Sequence, residues 1–400
     1  MYNAENLYRK IDSYKTDLAN MADDIFDHPE LPYEEYRSCE LICSWLEKEG
    51  FTMERKAGGM DTAFRAVYEK GDKGPAIGFV LEYDCLPNGH SCGHHMQGPA
   101  ILGAVKALKN SGPGRPFKLV VYGTPAEEVL TGKPRMIQAG CFQDIEAALM
   151  MHAHTNSYVG TKSMTGVNLE TVFTGVHAHD TARPWGSRSG FDAMMQAIQA
   201  FEYLRGHVHD GTRFFYQISD AIGLKGNPDP SRAAATFSFR TYKMEDLQDL
   251  EERSRNILKG AALMNGVKVE IEKTLEVQGT LPNETIKSIM MHYAQEAGAI
   301  RLLPEHKAAG GSNDFGNITQ IMPAAQFFTA MAPDGIALHT EAILKEGKTE
   351  QAHEAVAVAA KVVAATAAEL IENPRHLEQA KAEFTEKKEE LNRKKEALKI

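Results

Sequence analysis

Residues 74–84, GPAIGFVLEYD, decide the fold together with GPAILGAVKALKNSG at 98–112 and FKLVVYG at 117–123. The first and third runs are short and almost continuously apolar, as in strands of a sheet covered on both faces. Between them Leu102, Val105 and Leu108 recur at helical spacing. Strand, helix, strand in that order is a crossover unit, which predicts an α/β domain with a mainly parallel sheet flanked by helices. TAFRAVYE at 62–69 and IEAALMMHAH, ending near 154, extend the sheet. Helical patterns at 5–26 and 33–49 precede it, the second opened by HPELPYEEY with Pro32 near its first turn.

After residue 163 the texture changes. GVNLETVFTGVHAH at 166–179 alternates along much of its length, a helix follows at about 189–206, strands at 213–219 and 232–241, and a helix at 244–265. Completed by KVEIEKTLEV, this order predicts an inserted α+β domain of the ferredoxin-like kind. The expected divisions are 1–163 and 280–372 for the catalytic domain, 164–279 for the insertion and 373–400 for a charged, solvated C-terminal helix. The Ala-rich run at 348–372 returns to the main domain.

Composition excludes several classes. With 43% hydrophobic and 24% charged residues and a net charge of −10, the chain has the balance of a globular protein and not of a nucleic-acid binder. It shows no run of 18 apolar residues and no apolar leader core, so a cytoplasmic protein without a membrane anchor is expected. Its five cysteines are scattered and odd in number, a poor disulfide framework. Cys39 and Cys43, four apart, share one helical face as buried thiols.

Chemistry concentrates after the strands. GHSCGHHMQG at 89–98 holds His90, Cys92, His94 and His95, and Cys92 there can be a metal ligand, a nucleophile or a small core residue. TPAEEV places Glu127 and Glu128 after the next strand, and HAH places His152 and His154 after another. In open α/β sheets ligands bind outside the carboxyl ends of strands, so Asp84, the Cys/His cluster, the paired glutamates and the histidines meet at one edge. Thiolate, imidazole and carboxylate together suit a transition metal. Adjacent glutamates cannot both face one ion, which suggests that one coordinates while the other takes a proton from water acidified by the metal. That is the chemistry of amide hydrolysis, and a second ion about 3.5–4 Å away would help hold substrate. A cysteine amidase using Cys92 and His94 is the rival enzyme, but leaves Glu127, Glu128 and His152 without a role. A non-catalytic metal-binding protein is the other class, although no C-x-x-C spacing marks a closed structural zinc site.

With these residues assembled, the chain resembles the metal-dependent aminoacylase and glutamate carboxypeptidase family, in its amidohydrolase branch. HPELPYEE, GFVLEYDCLPNGHSCGHHMQG, PAEE, ALMMHAH, GVHAH, GGSNDFGNI and ALHT occur in order over about 370 residues. The resemblance implies two divalent ions per subunit, manganese or zinc, held by Cys92, His94, Glu128, His152 and His339. It implies Glu127 as general base, Asp84 as support for the metal shell, and a homodimer in which His179 reaches the partner's substrate. Asn227 and Arg240 match positions that contact the substrate carboxylate. The expected partner is a small-molecule amide, an N-acyl or N-aroyl amino acid or a dipeptide, with hydrolytic deamination of an aromatic amine as the runner-up.

This sequence departs from the family at several points. His95 stands where relatives have asparagine or aspartate after C-G-H, and HMQGP is similar to a D-x-K-G-P motif whose aspartate bridges the metals, so His95 is a candidate for an altered ligand set. Val129 and Leu130 replace glycines, His154 stands where many have proline, the AHA of relatives is AHD here, and PNGHSC is one residue shorter.

Overall fold

The computed structural model describes residues 3–160, 162–179, 182–221, 230–304 and 311–397. They form two compact units, one of residues 1–162, 280–309 and 314–400, the other of 163–279 and 310–313.

The first unit opens with α1 (Ala4–Asp27) and α2 (Tyr36–Lys48), then β1 (Thr52–Arg55), β2 (Phe64–Lys70) and β3 (Ala76–Leu81). It continues through α3 (Gln97–Ser111), β4 (Phe117–Gly123), α4 (Gly132–Gln138), β5 (Ala147–His154) and β6 (Tyr158–Val159). The sheet order is β1-β2-β4-β3-β5-β11-β6, where β11 is Ala324–Ala330 from the later part of the chain. Its central run β4-β3-β5-β11 is parallel, whereas β1, β2 and β6 pair antiparallel at the edges. The parallel core therefore sits inside a mixed sheet.

Side-chain alternation explains the layers. Ile77, Phe79 and Leu81 of β3, with Leu119 and Val121 of β4 and Leu149 and Met151 of β5, enter one apolar cluster. Val80, Val120 and Met150 enter another on the opposite face. Burial on both faces is why these strands read as continuous apolar runs.

Against the first face pack α3 and α10 (Glu350–Glu372), and α1 packs on both; α10 lies beyond α7 (Glu284–Glu296), α8 (Phe315–Thr319) and α9 (Glu341–Leu344). Small residues let these helices approach closely. A Cβ on Gly103 of α3 would lie 2.6 Å from Leu18 Cδ1 and 3.4 Å from Ala360 Cβ. Among the described residues no helix is long and apolar enough to cross a membrane.

The second unit runs β7 (Thr165–Thr174), α5 (Gly190–Leu204), β8 (Arg213–Asp220), β9 (Arg232–Thr241), α6 (Met244–Asn265) and β10 (Lys268–Val277). The antiparallel order β10-β7-β9-β8 is the ferredoxin-like arrangement expected from the sequence.

The charged tail is less solvated than its composition suggests. It forms α11 (Pro374–Ala397), which buries Leu377 and Ala380 and packs on α7 and α10. Few apolar residues suffice because Glu383 accepts the Glu284 and Thr285 amides at 2.6 and 2.9 Å, beside the Asn283 cap of α7. Burial opposes the Glu383 charge, but Lys387 and the α7 amides outweigh it and hold its pKa below the ordinary value. A depressed carboxylate stabilises the fold above its unfolded pKa, about 4.3, and that contribution is lost as pH falls through the folded value. Glu383→Ala is expected to cost about 1 kcal/mol at neutral pH in urea unfolding, with a smaller deficit at pH values below the folded pKa.

Candidate metal centre

Sheet register collects the polar residues. Leu81 pairs with Gly123 and Val80 with Met150, so the residues following β3, those following β4 and the His152 end of β5 share one edge. There the chain turns through Gly93, in left-handed conformation at φ 84°. A Cβ on Gly93 would lie 2.4 Å from Ala153 Cβ, so only glycine fits between Cys92 and His94.

Cys92 Sγ lies 3.7 Å from His152 Nε2 and 3.2 Å from His339 Nε2. His339 has φ 65°, and its amide donates to Ser91 O at 2.9 Å, which pins the late ALHT segment beside the cluster. Two groups have ligand atoms within 4.8 Å of one another, Cys92–His94–His152 and Cys92–Glu128–His339. They share Cys92, as two ions with a common ligand require.

The other ring nitrogens are engaged by main chain. His152 Nδ1 is 2.8 Å from Ala153 O and His94 Nδ1 2.9 Å from Asp84 O, so each donates there and turns the Nε2 lone pair into the site. Asp84 Oδ2 accepts the Glu128 amide at 2.8 Å, so one residue braces two ligand segments. Tyr158, Phe328 and His154 form an aromatic cluster, with Phe328 5.5 Å from the His152 ring.

Several buried atoms remain without hydrogen-bond partners among the described residues: His94 Nε2, Asp84 Oδ1 and Glu128 Oε1. Orphaned acceptors are costly in a dry core, and cations would satisfy them. Burial raises the Cys92 thiol and the Glu128 carboxyl, and burial with the Glu82 charge raises Glu127 well above its ordinary value. Burial lowers His152 to about 4. The thiol, neutral imidazole and carboxylates fit divalent metal.

A third group, Glu82–His94–Glu127, has ligand spacing too. Glu82 is already committed: Lys133 donates to Oε1, and Gln97 to Oε2 at 2.7 Å. Lys133 also donates to Asp314 Oδ1 at 2.5 Å, and all three charged side chains are fully buried. Burial opposes the Lys133 charge, but Asp314 and Glu82 outweigh it, and burial likewise opposes the Glu82 charge but Lys133 together with the other groups around it outweighs it. No ligand motif in the sequence marks Glu82, Lys133 and Asp314. The signals that point to them are a glutamate within an apolar strand end, LEYD, and the aspartate of GGSNDFGNI.

The histidine neighbours turn elsewhere. His95 Nε2 lies 2.9 Å from Gly347 O and its ring packs edge-on against Phe26 at 4.9 Å; His90 also lies over Phe26. Neither joins a ligand group among the described residues, so the candidacy of His95 for the ligand set is replaced by a packing role.

Thus Asp84, Cys92, His94, Glu127, Glu128, His152 and His339 come together in the first unit. His179 and Arg240 belong to the second, where His179 is exposed and Arg240 Nη1 donates to Val167 O, Asn168 Oδ1 and Phe239 O. Asn227 falls outside the described residues. Because it leaves two buried carboxylates unpaired, Lys133→Met is expected to destabilise the protein by about 3–5 kcal/mol in urea unfolding. A cost below about 1 kcal/mol would show that the carboxylates find other compensation.

Known proteins are similar to this chain in sequence and in fold. The model of Peptidase family M20/M25/M40 matches residues 82–369. The chain is 28% identical to one of the subunits of p-aminobenzoyl-glutamate hydrolase of Escherichia coli (strain K12), over 92% of each chain. It is 29% identical to Xaa-Arg dipeptidase of Mus musculus, over 94% of this chain and 90% of that one. In fold it is similar to a putative aminohydrolase from methicillin resistant Staphylococcus aureus, with TM-score 0.76, 17% identity and coverage of 92% and 100%. It is also similar to a dinuclear metal binding peptidase from the M20 family of Bacillus subtilis, with TM-score 0.66, 20% identity and coverage of 90% and 99%. The family match spans well over half of the sequence and includes every candidate ligand, and the chain belongs to peptidase family M20/M25/M40.

Proposed function

We propose that the protein hydrolyses the amide bond of an N-acyl or N-aroyl amino acid, or of a dipeptide, with two manganese or zinc ions per subunit. The observation that supports this most is Glu127, buried beside two ligand groups that share Cys92 yet absent from both. Metal held by Cys92, His94, His152, Glu128 and His339 would polarise the carbonyl and acidify the attacking water. Glu127 accepts the proton of that water and returns it to the departing amine, so cleavage needs no other acid. Asp84 keeps His94 and the Glu128 segment in place. His179 and Arg240, with Asn227, serve the substrate's carbonyl and carboxylate ends in this reading.

The role given to His179 requires a homodimer, which is part of this reading. β8 is the outer strand of the second sheet, and it exposes Phe215 and Ile218 while α6 exposes Leu263 and Met264. An apolar, unpaired strand edge favours association with a second copy. Five free cysteines agree with a reducing cytoplasm.

Glu127→Gln is expected to lower kcat by at least about 10³-fold on a panel of N-aroyl amino acids and arginine-ending dipeptides, with metal content unchanged by elemental analysis. Near-normal turnover would remove Glu127 as the base, and release of ammonia in place of an amino acid would favour deamination. Light scattering is expected to give twice the chain mass, and Phe215→Glu with Ile218→Glu to shift it toward the monomer. A monomeric wild-type protein excludes the cross-subunit role of His179.

A further inference from the structure

Paired glutamates act only if the loop that carries them is held, and this loop is unfavourable in itself. Ala126 and Leu130, on either side of Glu127 and Glu128, have φ of 59° and 57°, a left-handed conformation that residues with a Cβ adopt at a cost. Something outside the loop must determine it.

Besides the Asp84 bond to the Glu128 amide, outside contacts come from residues 28–35, the HPELPYEE segment, which has no part in the ligand groups. Glu35 occupies the N-cap position of α2 but makes no cap hydrogen bond there. Glu30 does that work, accepting the Arg37 and Ser38 amides at 2.7 and 2.8 Å. Glu35 is thereby free to turn inward, fully buried. Its Oε1 accepts the Ala126 amide at 2.9 Å and the Tyr33 amide at 2.8 Å, and its Oε2 accepts the Thr62 hydroxyl at 2.7 Å. At the far end of the loop the Tyr33 hydroxyl lies 2.6 Å from Thr131 Oγ1. The same segment reaches the neighbouring strand end, where the Cys85 amide donates to Glu30 O at 2.9 Å, directly after Asp84.

We propose that Glu35 is a positioning residue for hydrolysis, which with Tyr33 clamps both ends of the 126–131 loop and so aims Glu127 at the substrate and Glu128 at the metal. What the clamp requires of Glu35 is an acceptor oxygen at the right reach. A glutamine supplies one for the two amides and can donate to Thr62, whereas an aspartate falls one methylene short. Displacement of reacting groups by about 1 Å can cost 10²-fold in rate.

The inference rests on the hydrolase reading, so metal retention is measured separately from turnover. Protein reconstituted with manganese or zinc is compared as wild type, Glu35→Gln, Glu35→Asp and Tyr33→Phe, by steady-state kinetics and by competition with a chelator. Glu35→Gln should stay near the wild-type rate and metal retention. Glu35→Asp should lose about 10²-fold in kcat at little-changed KM and hold metal about 10-fold more weakly, through Glu128. Tyr33→Phe, which keeps the buried carboxylate, should lower kcat without lowering the melting temperature.

Wild-type kinetics and metal retention in both Glu35→Asp and Tyr33→Phe would overturn the clamp. So would equal losses in Glu35→Gln and Glu35→Asp, which would make charge and not reach the operative property. Should Glu35→Asp not fold, Tyr33→Phe decides alone, and an unchanged kcat there overturns the proposal. If the wild-type protein cleaves no amide, the hydrolase reading falls, and chelator competition still judges Glu35.

Discussion

The architecture depends on compensating negative charge in a dry place. Glu82, Asp84, Glu127, Glu128 and Asp314 gather beneath one sheet edge with their side chains almost wholly withdrawn from water, and Lys133 is the lysine among them. Isolated buried carboxylates are prohibitive, so such a cluster exists only where cations meet it. Lys133 neutralises the part nearest the sheet, and divalent metal suits the part that opens around Cys92. The ion triad thus separates two glutamates with similar ligand spacing: Glu82 is bound to Lys133 and Gln97, whereas Glu127 keeps the base role proposed for it.

Parallel strands make this concentration possible. Strands running the same way deliver all their following loops to one edge, and the registers among β3, β4 and β5 bring loops separated by dozens of residues into a single shell. The shell is then braced from within by main-chain acceptors at Asp84 and Ala153, which set the imidazole orientations. From without it is braced by the segment before α2. Precision in the site comes from these supports as much as from the ligands.

Much of this is legible in the sequence because its causes are local or periodic. Continuous apolar runs mark two-face burial, which is why β3, β4 and β5 are evident there, and the order of elements in the second unit marks its topology. β1 and β6 escape such reading because they are four and two residues long, and pairing there comes from neighbours and not from pattern. His95 is open in sequence, whereas in the structure its Nε2 meets Gly347 O, because adjacency to His94 says nothing about ring direction once the chain turns at Gly93. The tail at α11 reads as solvated because composition counts charges without showing that Lys381 and Glu383 have partners on the domain.

The sequence by itself determined the α/β class, the inserted sheet and the kinds of ligand atoms available, since strand burial and metal–ligand chemistry depend on residue type and spacing. Only the tertiary structure decided which of those atoms converge. It alone paired Lys133 with Asp314, 181 positions away, and Glu35 with the amide of Ala126, 91 positions away. The physical reason is that a hydrogen bond or ion pair acts over a few ångströms of space, and distance along the chain does not record that until the sheet has folded.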